Sequence, residues 1–82
     1  MEGLLIIAFD STQQALRTEM LLEYKDIDMD IFPTPKEITA GCALSIQFPE
    51  TELEEVQSII VSEQVEIRGI FKPLSNGGYS SI

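Results

Sequence analysis

The sequence predicts an α+β fold: a four-stranded antiparallel sheet covered on one face by two helices. Three observations predict it. Residues 4–9 form a short continuous apolar run, the pattern of a central strand. Two later segments carry apolar residues at helical spacing. Three others alternate apolar and polar residues with the period of two that marks a half-buried strand. Along the chain the order is β-α-β-β-α-β, and both helices pack most economically on the same side of one sheet. With 82 residues there is room for one small domain and not for two cores. A chain this short gains from an oligomeric state or a partner.

The first strand is Leu4-Leu5-Ile6-Ile7-Ala8-Phe9. Asp10-Ser11-Thr12 follows with side chains suited to capping the orphaned N–H groups of a helix start. The helix then spans Thr12 to Tyr24 and carries two apolar stripes. Ala15, Thr18 and Leu22 form one; Leu16, Met20 and Tyr24 form the other. Periodicity does not choose between them, and the stripe left out of the core would be partly exposed. Ile27–Phe32 alternates apolar and acidic residues as the second strand, with aspartates that discourage edge pairing. Pro33-Thr34-Pro35-Lys36-Glu37 is irregular, since each proline lacks a donor and fixes φ. The loop runs on to Cys42, with Gly41 able to take a positive φ.

Ala43–Phe48 is the third strand, ended by Pro49. Thr51-Glu52-Leu53-Glu54 matches a capping box, with Thr51 as N-cap of a helix over Glu52–Ser62. Leu53, Val56 and Ile60 are its buried stripe. Val65–Arg68 is the last strand, with Gly69 marking a bulge. Together these give one domain over residues 1–72 in the ferredoxin-like arrangement, sheet order 4-1-3-2, and a flexible C-terminal tail over 73–82. The first strand is apolar on both faces while the helices cover one. An uncovered apolar face suits a homodimer, or else a few tolerated surface residues.

Composition narrows function. Five Lys and Arg stand against fourteen Asp and Glu, a net charge of −9. That argues strongly against nucleic acid, whose phosphates need a basic surface, and against anionic membranes. There is no histidine and one cysteine, so a Cys-His or Ser-His-Asp site within the chain, an internal disulfide and a CxxC pair are all ruled out. No metal site or resident cofactor is expected. Met1-Glu2-Gly3 lacks the basic start of a signal peptide, and the first apolar run is too short to span a membrane. A cytoplasmic, reducing location with a free thiol is the simplest reading. Gly77-Gly78 lacks the strand, helix and Lys-Ser/Thr of a phosphate loop.

In this topology the loop Pro33–Cys42 lies at the same end of the sheet as the start of the first helix, Asp10–Gln13. A helix N-terminus presents partial positive charge and spare N–H donors, an environment that favours a reactive thiolate. Lys36, six residues before Cys42, is the loop's cation and adds to that field. The plainer readings are a small buried Cys42, a solvated Lys36, Ser11 and Thr12 as caps, and Glu50–Glu55 as a solvated helix start.

The stretch Pro33-Thr34-Pro35-Lys36-Glu37-Ile38-Thr39-Ala40-Gly41-Cys42 resembles the proline-flanked cysteine loop of the selenium/sulfur carrier-like family. These are small bacterial proteins grouped with TusA-type carriers by proposed role. Phe9-Asp10-Ser11-Thr12-Gln13-Gln14-Ala15-Leu16 resembles that family's Ser-Thr-x-x-Ala-Leu helix start. The likeness covers about Leu4 to Phe71. The family usually has Arg where Lys36 stands and Gly where Ala43 stands, and the Cys-Pro pair of TusA carriers is absent.

The resemblance implies that Cys42 accepts sulfur or selenium as a persulfide or selenosulfide. Lys36, Gly41, Ser11 and Thr12 would form the surrounding site. The implied partners are a protein donor, such as a cysteine desulfurase, and a protein acceptor. Transfer needs a thiolate that attacks the donor and a terminal sulfur that a recipient can reach, so Cys42 is expected to stand uncovered. The alternative is a small non-catalytic binding or regulatory module acting through dimerisation or partner contact. A self-contained enzyme fits less well, because the usual acid–base and nucleophile pairing is missing.

Overall fold

The computed structural model describes residues 3–82. Met1 and Glu2, read above for a leader, lie outside the described residues. The elements are β1 (Leu4–Ala8), α1 (Thr12–Tyr24), β2 (Asp30–Pro33), β3 (Leu44–Pro49), a 3-10 turn at Glu50–Glu52, α2 (Leu53–Ser62), β4 (Gly69–Pro73) and β5 (Tyr79–Ser81). All strand pairs are antiparallel, in the order β2-β3-β1-β4-β5.

The fold is therefore mixed α and β, with two helices, but its sheet has five strands rather than four: read from the β5 edge the order is 5-4-1-3-2, with the extra strand added outside β4. The segment 73–82, expected as a flexible tail, turns back instead. Leu74 N–H donates to Gly78 O at 2.8 Å, with Gly77 at φ 93 in the turn. Tyr79–Ser81 then pairs with Phe71–Pro73 as a fifth strand. Only glycine takes that φ without a Cβ penalty.

α1 forms because Ser11 caps it: its Oγ accepts from Gln14 N–H at 3.4 Å. The structure chooses between the two stripes. Ala15, Thr18 and Leu22 are buried, while Leu16, Met20 and Tyr24 are 46, 69 and 86% exposed. Both helices end the same way. Asp26 and Gln64 sit in the left-handed region, at φ 63 and 53. Ile27 N–H reaches back to Leu22 O and Val65 N–H to Ile60 O, each at 3.0 Å. This closes the last turn and drops Ile27 and Val65 into the core.

Three further expectations are corrected. Thr51 caps nothing: α2 begins at Leu53, its N-cap position is Glu52, and no side chain caps it, because residues 50–52 tighten into the 3-10 turn first. The fourth strand starts at Gly69, which pairs with Ala8, rather than at Val65. The second starts at Asp30, not Ile27, because Ile27 is taken up by the end of α1.

The sheet has two covered faces. On the helix side Leu5, Ile7, Phe9, Ile46, Phe48 and Ile70 pack with Leu22, Val56 and Ile59. On the other side Ile6 and Ala8 are sealed by Ile38, with Ala40, Phe32, Phe71 and Tyr79 around them. The loop after β2 thus folds over the face that the sequence left open, and β5 supplies Tyr79. Ile6 and Ala8, the residues of β1 on this face, are covered without a second copy.

Candidate functional site

β1 ends and α1 begins at the end of the sheet where the 34–43 loop returns to β3. The loop is stitched there by backbone. Cys42 N–H donates to Phe9 O at 3.0 Å, and Thr34 N–H donates to Ala43 O at 2.8 Å. Thr34 is the one residue between Pro33 and Pro35 with an N–H to give, and it uses it here. Its hydroxyl donates to Cys42 O at 3.0 Å and lies 2.6 Å from Ser45 Oγ.

These bonds turn the Cys42 side chain inward. Its sulfur lies 3.3 Å from Thr12 Oγ1, with either group able to donate, and accepts from Leu44 N–H at 3.3 Å. Cys42 is 4% exposed and belongs to the same core cluster as Phe9 and Ala15. The expectation of an uncovered sulfur is therefore corrected: the Thr12 side chain and the turn into β3 close over it. The cover is thin, since Thr12, Gly41 and Ala43 are themselves exposed.

Gly41 is needed for closeness rather than for a positive φ. A Cβ there would stand 2.9 Å from the carbonyl oxygen of Asp10, a backbone atom that cannot swing away. The contact lets Gly41 N–H donate to Asp10 Oδ1 at 2.8 Å. Arg68 completes this end. Its Nη1 is 3.6 Å from Asp10 Oδ2, and its Nε donates to Thr39 O at 3.1 Å.

Of the residues singled out from sequence, Thr12, Gly41 and Cys42 come together. Ser11 serves the helix as its cap. Lys36 is exposed on the loop's turn, and among the described residues no hydrogen bond or ion pair ties its ammonium to the cysteine. Thr34 and Arg68 were missed, and Asp10 was read only as part of the helix start. The Pro-Thr-Pro order was a usable signal for Thr34. Arg68 carried none, because it reads as the outward residue of an alternating strand.

Clefts of about 330 and 420 Å³ run along α2, lined by residues such as Tyr24 and Glu55 in one and Ile60 and Ile82 in the other; Cys42 lines neither. A cavity of about 50 Å³ beside Asp10, Ser11 and Gln14 has room for little more than water. No helix among the described residues is long and apolar enough to cross a membrane.

A two-layer domain holding one cysteine against a helix start defines a small protein with a single covered thiol. Residues 4–72 match the family described as "Putative Se/S carrier protein-like". The chain belongs to that family. No curated protein and no solved structure matches it.

Proposed function

We propose that this protein carries sulfur or selenium on Cys42, as a persulfide or selenosulfide, between a protein donor and a protein acceptor in a reducing compartment such as the cytoplasm. Family membership supports the class. The observation that carries the residue assignment is the Cys42 sulfur set between the Leu44 N–H and the Thr12 hydroxyl at the first turn of α1. A thiolate is what attacks, and these two groups are placed to hydrogen-bond one.

In loading, the Cys42 thiolate attacks the outer sulfur of a donor persulfide. The donor's S–S bond breaks, the donor leaves as a thiolate, and a new S–S bond forms on Cys42. The sulfur moves at constant oxidation level, so no oxidant or cofactor enters. Discharge is the same step with an acceptor nucleophile. Gly41 lets the loop close, Ser11 and Thr12 build the helix start, and Lys36 supplies positive charge on the exposed turn. A cysteine desulfurase is a fitting donor because it presents its sulfur as a protein persulfide. Incubation with glutathione persulfide followed by intact-mass measurement tests the reading: wild type gains one sulfur and Cys42→Ser gains none. Equal gain by both, or gain by neither, removes it.

One observation favours a second reading, a binding module acting through partner contact. Leu16, Met20 and Tyr24 form an exposed apolar stripe along α1. Sedimentation of wild type across a concentration series, beside a variant with all three changed to Gln, separates self-association through that stripe from a monomer.

A further inference from the structure

A carrier sulfur has to be reached, and Cys42 is closed over. What holds the cover at its outer rim is a ring of contacts joining three chain segments. Asp10, just after β1, accepts from Gly41 N–H with Oδ1 and faces Arg68 Nη1 with Oδ2. Arg68, just before β4, donates from Nε to Thr39 O. The root of Arg68 is fixed, since its own N–H donates to Ala8 O at 2.7 Å. The guanidinium and the carboxylate therefore grip the loop at residues 39 and 41, immediately before the cysteine.

Both side chains are about half exposed, 48 and 56%. Contacts of this kind are individually weak and screened by salt. The inner stitches, Phe9 to Cys42 and Thr34 to Ala43, are backbone bonds that do not depend on charge. The rim is thus the part of the closure that a charged pair sets.

We infer that Arg68 and Asp10 form a clasp that governs how often the 39–42 segment lifts and presents Cys42. They are positioning residues rather than catalytic ones. The purpose assigned to the clasp rests on the carrier reading; its effect on the thiol does not. Opening does not require the fold to unfold, because β1, β3 and the helix face remain packed while residues 39–42 move.

The test is the alkylation rate of Cys42 by iodoacetamide, an uncharged reagent, in the folded protein. Arg68→Gln is expected to raise the rate about fivefold, the factor that corresponds to roughly 1 kcal/mol, with the urea midpoint essentially unchanged. Asp10→Asn, which keeps an acceptor for Gly41 N–H, is expected to act in the same direction. Combined with Arg68→Gln it adds less than the product of the two effects. Raising salt to about 1 M, where the screening length is about 3 Å, speeds wild type and leaves Arg68→Gln unmoved.

Unchanged alkylation in both variants overturns the clasp. So does a rate that rises only in step with global unfolding, which would make Arg68 merely structural. If the variants alkylate faster but glutathione persulfide loads no sulfur on any form, the clasp stands and the carrier reading falls.

Discussion

The hydroxyl of Thr12 and the sulfur of Cys42 lie 3.3 Å apart, though thirty positions separate them in the chain. The contact exists because β1 ends where α1 starts, and because Phe9 O holds Cys42 N–H at that junction. A helix's first residue is thereby brought to the thiol. Thr12→Val keeps the shape and removes the hydroxyl. Persulfide loading is expected to slow about fivefold, the size of one hydrogen bond of roughly 1 kcal/mol. Stability should stay within about 0.5 kcal/mol, since Thr12 is exposed. Stopped-flow loading beside a urea titration checks both halves, and an unchanged loading rate would remove Thr12 from the site.

Gly41 gives a steric prediction. The Cβ of Gly41→Ala would press on the Asp10 carbonyl at 2.9 Å. Relief requires backbone movement in the loop or at the end of β1, costing about 1–3 kcal/mol. Urea unfolding should show that loss, and Cys42 should alkylate faster as the loop is forced outward. A midpoint equal to wild type would mean that the loop tolerates the extra carbon.

Ile38 is the lid on the sheet face away from the helices. Truncation in Ile38→Ala uncovers Ile6 and Ala8, buried at 1 and 0% exposure. The expected loss is about 2–5 kcal/mol, with increased binding of a dye that reports exposed apolar surface. Little change in either would mean that Phe32, Phe71 and Tyr79 suffice to cover that face.

The two stripes of α1 predict opposite outcomes. Leu22→Ala should cost about 2–5 kcal/mol, because Leu22 is wholly buried. Met20→Gln should change stability by no more than about 0.5 kcal/mol, because its side chain points to solvent. Urea midpoints measured side by side decide it, and comparable losses would contradict the assignment of faces.

Much of this was legible from local chemistry. The limits Thr12 and Tyr24 of α1 follow from a serine cap and a run of helix formers, and β1 follows from an apolar run that no helix pattern competes with. The site's end of the molecule followed from chain direction alone. What stayed hidden was long-range. The helix ends were placed at Tyr24 and Ser62, but the left-handed residues that follow them, Asp26 and Gln64, are not glycines and carried no signal. The segment Tyr79-Ser80-Ser81 has too few apolar residues to read as a strand, and becomes one because β4 offers an unpaired edge. Ile38 looked like an isolated apolar residue in a proline-rich loop; its role depends on where that loop lands. The depth of Cys42 was likewise set at long range, by the bond of its N–H to Phe9 O, which no spacing reveals.

The carrier account stands most directly on the mass of the intact protein after exposure to a persulfide donor. The account predicts the addition of one sulfur atom, mapped to Cys42, absent in Cys42→Ser and removed again by dithiothreitol. Wild type that emerges with its mass unaltered, or sulfur that appears equally on the serine variant, would contradict it.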